Sequence, residues 1–294
     1  MHRRALLTGL ALAPSAQGWA ASPGGAVASF SVLADITRRV SGGLITVVSL
    51  VPPDADSHVY QPTAADSRTL ASAVLLVENG LGLEGWIARL GTASGFRGIK
   101  VIATTGVTPR LMREGAATST DPHAWQNPRH GILYARNIAE GLATADPDHA
   151  EAYRANAVRF VAEIEKLDAW ISAQFAPIPQ AARRIVTTHD AFGYYGDRYG
   201  IDFLAAEGIA TDAEPSAKAI AALVAQIRRE KVRTVFLENM TDPRLAKMLA
   251  RETGATLSGP LYSDSLSKPG GPAPDYLAML RHNTSLFARA MAPG

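Results

Sequence analysis

Apolar and polar residues follow one another in short blocks whose period switches back and forth. Residues 29–34 (SFSVLA), 44–51 (LITVVSLV), 74–78 (VLLVE) and 99–103 (IKVIA) are brief β-rich runs. A polar helical stretch separates the first two, and residues 63–72 and 83–92 read as helices between the later ones. Strand and helix in alternation predict a mostly parallel sheet with helices on its faces. Residues 106–120 show no strong period and carry Gly, Thr and Ser, so they read as a loop.

The pattern changes at Asn127-Pro128, a plausible cap and first-turn pair for a helix running to about Ala143. A second helix starts at Asp146-Pro147. Its residues Tyr153, Phe160, Ile164, Leu167 and Ile171 fall on one face. It extends to about Phe175, some 28 residues or ~42 Å, long enough to join two domains as a rigid connector. After Pro177 and Pro179 the alternation resumes. Strands are expected at 184–188, 202–206, 233–238 and 256–261, and helices at 192–199, 216–230, 243–253 and 274–291, with a turn-rich loop before 216. The fold class is therefore α/β, with two βα lobes of mostly parallel sheet joined by a long rigid α-helix. The expected division is 27–129 for the first lobe, 130–178 for the helical connector and 179–294 for the second lobe. The two halves share no short repeat but could be similar in structure.

Composition narrows the class. The 294 residues are 47% hydrophobic and 19% charged, ample for two cores and unlike a disordered chain. With 29 basic and 27 acidic residues, the chain lacks the excess charge of an electrostatic nucleic-acid binder. Arg3 and Arg4 precede the apolar run 5–13 (ALLTGLALA), and small residues lead to Gly18-Trp19-Ala20. This is the layout of a signal peptide, residues 1–20, cut after about Ala20. It implies export to the periplasm. There is no cysteine, which excludes disulfides, thiolate metal sites and a lipid anchor on Cys. A soluble monomer without a lipid anchor is expected.

Any metal must then be held by His and carboxylates. In open α/β sheets ligands collect beyond the carboxyl ends of strands. His58, His123 and His189 lie beyond such ends, and Asp264 follows the last expected strand. Two candidates fall in each half of the chain, so a cleft between lobes would gather all four. Imidazole and carboxylate suit Zn²⁺, usually four-coordinate, although imidazole also binds Cu, Ni and Fe. Separations of 65, 66 and 75 residues define no local motif. His130, His149 and His282 read as solvated or packed residues. Glu238, at a strand end, reads as a cap or lobe contact.

Four strings in order carry a resemblance. Asp56-Ser-His58-Val-Tyr60-Gln-Pro62, Asp121-Pro-His123-Ala-Trp125, His189-Asp-Ala-Phe-Gly-Tyr-Tyr195 and Leu261-Tyr-Ser-Asp264-Ser-Leu266 resemble the ligand motifs of the periplasmic metal-binding receptors of zinc and manganese ABC importers. The likeness runs over roughly residues 27–291. It implies that His58, His123, His189 and Asp264 ligate the metal in the cleft. It also implies an ABC permease in the inner membrane as partner. Manganese-type members tend to carry Glu at the third position and zinc-type members His, so His189 favours Zn²⁺ over Mn²⁺. Many zinc-type members have a His- and acid-rich loop before the second motif, whereas residues 106–120 contain no His and one acid, Glu114. A separate periplasmic metallochaperone becomes a candidate supplier. The second motif departs at Gln126-Asn127, where an apolar-Asp pair is commoner, and this departure is expected to touch the helix cap rather than the ligand. Binding needs neutral imidazoles, so affinity is expected to fall below about pH 6. A manganese- or iron-type receptor is the nearest alternative. A zinc hydrolase is disfavoured because His-Glu-x-x-His and Gly-x-Ser-x-Gly are absent, and a surface adhesin because a soluble, unanchored chain is expected.

Overall fold

The computed structural model describes residues 24–114, 117–205 and 216–292. The expected signal peptide and most of the turn-rich loop before 216 lie outside the described residues. The first half begins with β1 (Ala26–Phe30), α1 (Ser31–Ser41), β2 (Val47–Val51) and α2 (Ala64–Ala71). It continues with β3 (Leu75–Glu78), α3 (Ile87–Ser94) and β4 (Ile99–Ile102). The strands form a parallel sheet in the order β2-β1-β3-β4. The run 29–34 is not one strand: β1 ends at Phe30 and α1 starts at Ser31, with no loop between. Residues 26–34 are all buried, so burial gives this stretch neither a strand nor a helix period.

The expected loop 106–120 contains a hairpin, β5 (Leu111–Glu114) paired antiparallel with β6 (Ala117–Thr120). Its base is closed by the Asp121 amide, which donates to the Arg110 carbonyl. Its strands, Leu-Met-Arg-Glu and Ala-Thr-Ser-Thr, do not alternate apolar and polar residues, so there is no strand period to read. Then come α4 (Pro128–Ala145), a 3₁₀ turn Pro147–His149 and α5 (Ala150–Phe175). Asn127 caps α4 through the Arg129 amide, and Pro128 occupies its first turn. The 26 residues of α5 span ~39 Å. All five residues expected on its inner face are buried.

The second half comprises β7 (Arg184–Thr187), α6 (Gly193–Tyr199), β8 (Asp202–Ala205), α7 (Ala217–Glu230), β9 (Thr234–Glu238), α8 (Pro243–Thr253), β10 (Thr256–Leu261) and α9 (Tyr276–Met291). Its parallel sheet runs β10-β9-β7-β8. Taken from the first strand of each half, both sheets have the order second, first, third, fourth, so the halves repeat one topology. A large apolar cluster includes residues of both lobes, α4, α5 and α9, whereas Val186, Leu223, Ile227, Val235, Ala246, Leu249 and Ala250 form a small separate one. Among the described residues, no helix is long and apolar enough to cross a membrane.

Candidate metal centre

Each candidate is placed by the chain around it. His58 lies in the loop after β2. The Trp86 indole donates to the Ser57 carbonyl at 3.1 Å, and the Tyr60 hydroxyl donates to Asp66 at 2.9 Å. Asp66 also completes the capping box of α2 with Thr63, so the loop is tied to a helix start. His123 sits between the β5–β6 hairpin and α4. The Asn79 side chain donates to the neighbouring Pro122 carbonyl at 2.9 Å and accepts from Tyr134, which fixes that segment to β3 and α4. His189 follows β7 directly. Asp264 follows β10.

The four residues converge. One ligand atom from each lies within 4.8 Å of the others. His58 Nε2 is 3.1 Å from His123 Nε2 and 3.0 Å from Asp264 Oδ2. His123 Nε2 is 3.5 Å from Asp264 Oδ1, and His189 Nε2 is 3.3 Å from Asp264 Oδ2. Four donors around a tetrahedral zinc with bonds near 2.05 Å would stand roughly 3.3 Å apart. His123, His189 and Asp264 are fully buried, and the His58 side chain is 8% exposed, which places it on the solvent side. Both Asp264 oxygens and His189 Nε2 are buried without an aligned hydrogen-bond partner, despite their short distances. Buried polar atoms left so are rare, and a shared cation would satisfy them together.

Carboxylates stand behind two of the imidazoles. His123 Nδ1 is hydrogen-bonded to Asp121 Oδ1 at 2.8 Å, and His189 Nδ1 lies 2.7 Å from Glu238 Oε2, close but not aligned as a hydrogen bond. Such contacts on the far nitrogen orient a ligating ring and leave Nε2 facing the metal. The other Glu238 oxygen accepts from the Thr188 amide and hydroxyl and the His189 amide, at 3.0, 2.5 and 3.1 Å. Burial disfavours the charged form of His123, but Asp264 and Asp121 outweigh it and push its pKa up to about 9. Burial likewise opposes charge on His189, yet Glu238 and Asp264 hold it well above the ordinary imidazole value. Asp264, buried but flanked by these rings, is held well below the ordinary carboxylate value.

Sequence reading treated Glu238 as a cap or lobe contact. It is the carboxylate that holds His189, visible only once β9 is known to pair with β7. The departure at Gln126 is also more than a cap matter. Gln126 Nε2 donates at 2.7 Å to the carbonyl of Ser263, beside Asp264. The remaining described histidines have local partners away from the cluster: His130 with the Ala124 carbonyl, His149 with Asp146, and His282 with the Pro260 carbonyl.

Two parallel-sheet lobes with a buried His₃Asp cluster at their strand ends define a metal-binding solute receptor. The chain belongs to the family described as "Zinc-uptake complex component A periplasmic", which it matches over residues 26–290. Among relatives, the iron-binding protein YfeA of Yersinia pestis is 33% identical over 268 residues, covering 90% of this chain and 85% of that one. The manganese-binding lipoprotein MntA of Halalkalibacterium halodurans is 29% identical over 267 residues, covering 90% and 88%. A Mn-bound periplasmic metal-binding protein from Candidatus Liberibacter asiaticus has a TM-score of 0.82 at 30% identity, covering 91% of this chain and 99% of that one. The chain is thus an extracytoplasmic substrate-binding protein of an ABC importer, with a membrane permease as partner, and not an enzyme.

Proposed function

We propose that His58, His123, His189 and Asp264 coordinate one Zn²⁺ as cargo between the lobes and deliver it to an ABC import permease. The observation that carries this reading is the convergence of three imidazole Nε2 atoms on one buried carboxylate. Three nitrogens and one carboxylate favour zinc over manganese, which prefers oxygen-rich sites of higher coordination number. Four protein ligands suit capture rather than hydrolysis, because catalytic zinc keeps a position open for water. The helical stretch 130–178 serves as the connector. The chain offers no thiol for lipid attachment, which supports a receptor free in the periplasm. The hairpin region has no His to gather metal, which leaves room for a separate metallochaperone. A mixing experiment in which a zinc-holding periplasmic partner never speeds loading would remove the chaperone.

The second reading is a manganese- or iron-type receptor, favoured by what the relatives are named for. Metal analysis of protein purified from periplasm separates the two. Zinc at one equivalent, lost in His189→Ala, is the expected result. Manganese or iron in its place would transfer the cargo assignment to the second reading, and undiminished zinc affinity in the variant would overturn the site.

A further inference from the structure

Asp264 follows the last strand of the second sheet, yet the residues on both sides of it bond to the first lobe and its adjoining segment. One residue before it, the Ser263 carbonyl accepts from Trp125 Nε1 at 2.8 Å and from Gln126 Nε2 at 2.7 Å. Two residues after it, the Leu266 amide donates to Ser31 Oγ at 3.0 Å. The Leu266 carbonyl accepts from the Asp54 amide at 3.1 Å. Ser263, Leu266, Ser31, Trp125 and Gln126 are all buried, so the bonds among them are shielded from water, whereas Asp54 lies at the surface. Leu261 and Tyr262 stay on the second lobe, the Leu261 carbonyl accepting from the Asn239 amide and Tyr262 exchanging two bonds with the Asn283 side chain, so the change of lobe falls between Tyr262 and Ser263.

His189 is held the other way. Its amide and the Thr188 amide both donate to Glu238 at the end of β9, and its Nδ1 faces the same carboxylate. Near it, the second lobe reaches across through Tyr194, which accepts from the Arg110 amide and donates to the Asp121 carbonyl, and through the Arg110–Asp197 pair. Asp197 is 66% exposed, and exposed pairs stabilise little.

We infer that Asp264 is a fixed ligand of the first lobe, positioned by Trp125, Gln126 and Ser31, so that the ligands divide three to one and His189 alone travels with the second lobe. This rests on the four-ligand reading above. Opening then withdraws His189 first and leaves the ion on His58, His123 and Asp264. A neutral side chain, Gln126, thereby tunes how firmly the cargo is kept without touching it.

Residue-resolved amide exchange on the whole chain, with and without zinc, tests the division. On zinc removal the Arg110 amide, which donates across the lobes to Tyr194, should exchange at least ~10-fold faster, while those of Leu266 and Asp54 change less than about twofold. Loss of protection at Leu266 and Asp54 with retention at Arg110 overturns the inference. Mass measurement of the zinc-treated sample shows separately whether the ion is bound. If it is not, the four-ligand reading fails, and the metal-free exchange order alone still decides the strap. In Gln126→Leu the donor is lost at similar volume. Zinc should dissociate about three- to tenfold faster, the worth of one hydrogen bond, with the metal-free denaturation midpoint little changed. Ser31→Ala should act in the same direction. Unchanged dissociation in both variants overturns the positioning role.

Discussion

At the scale of single residues, the four-ligand reading makes proton and metal compete for the same nitrogens. With no metal bound, the flanking carboxylates push His123 up to about 9 and hold His189 well above the ordinary imidazole value, so both rings favour their protonated form. Zinc binds the neutral ring, so loading must expel the protons. The carboxylates that orient the rings therefore move the pH dependence upward from the pH 6 expected of isolated histidines. Affinity should therefore still be rising with pH above neutrality, beyond the range in which isolated histidines titrate. Calorimetry at pH 7 in buffers of different ionisation enthalpy should show about one to two protons released per zinc, and none released would refute the coupling. The stability sign is opposite. A histidine raised in the folded state stabilises it fully below its unfolded value and loses that contribution as pH rises through the folded one. The metal-free protein should accordingly melt at a lower temperature at pH 9 than at pH 6.5.

At the scale of elements, α5 is fastened to the second lobe by a buried carboxylate on an otherwise apolar face. Asp168 accepts from Arg198 Nε at 3.1 Å, Arg198 Nη2 at 2.6 Å and the Tyr199 hydroxyl at 2.7 Å. Burial raises its pKa, but Arg198 and Tyr199 outweigh this and hold it below the ordinary value, so its contribution is lost as pH falls. Asp168→Ala should destabilise by about 3 kcal/mol, the low end for a buried pair, because Arg198 is 28% exposed and can rehydrate. Denaturant unfolding of the metal-free protein measures it, and a loss below about 0.5 kcal/mol would mean the clasp is inert. The apolar face of α5 was legible because five residues repeat at helical spacing. Asp168 was not, since nothing local tells a buried acid from an exposed one. The site divides in the same way. His58, His123, His189 and Asp264 each sit in a short string beyond a strand, where chain order suffices. Glu238 and Gln126 act across strand pairing and across the strap, which chain order does not contain. The β5–β6 hairpin escaped because its sequence does not alternate apolar and polar residues.

At the scale of the whole molecule, the shared core limits how far the lobes can part. Phe175 at the end of α5 packs on Tyr195 and Tyr199 of α6, at ring separations of 6.1 and 5.8 Å. Tyr276 of α9 reaches back to the first lobe, its hydroxyl donating to the Trp125 carbonyl at 2.6 Å and its amide to Asp35 at 2.9 Å. Wide opening would expose these rings at about 25 cal/mol per Å², a cost that withdrawing one imidazole does not repay. Release therefore calls for a small movement that frees His189, not a broad hinge. Small-angle scattering with and without zinc tests this. A folded chain of this length has a radius of gyration of about 19 Å, and zinc should change it by less than about 0.5 Å. A lobe rotation of tens of degrees between metal-free and loaded crystals would contradict it. The small cluster around Leu223, Ile227 and Leu249 lies outside the common core and should be the first part to open. Its amides should then exchange faster than those of α4 and α5, with the metal bound as well as without it.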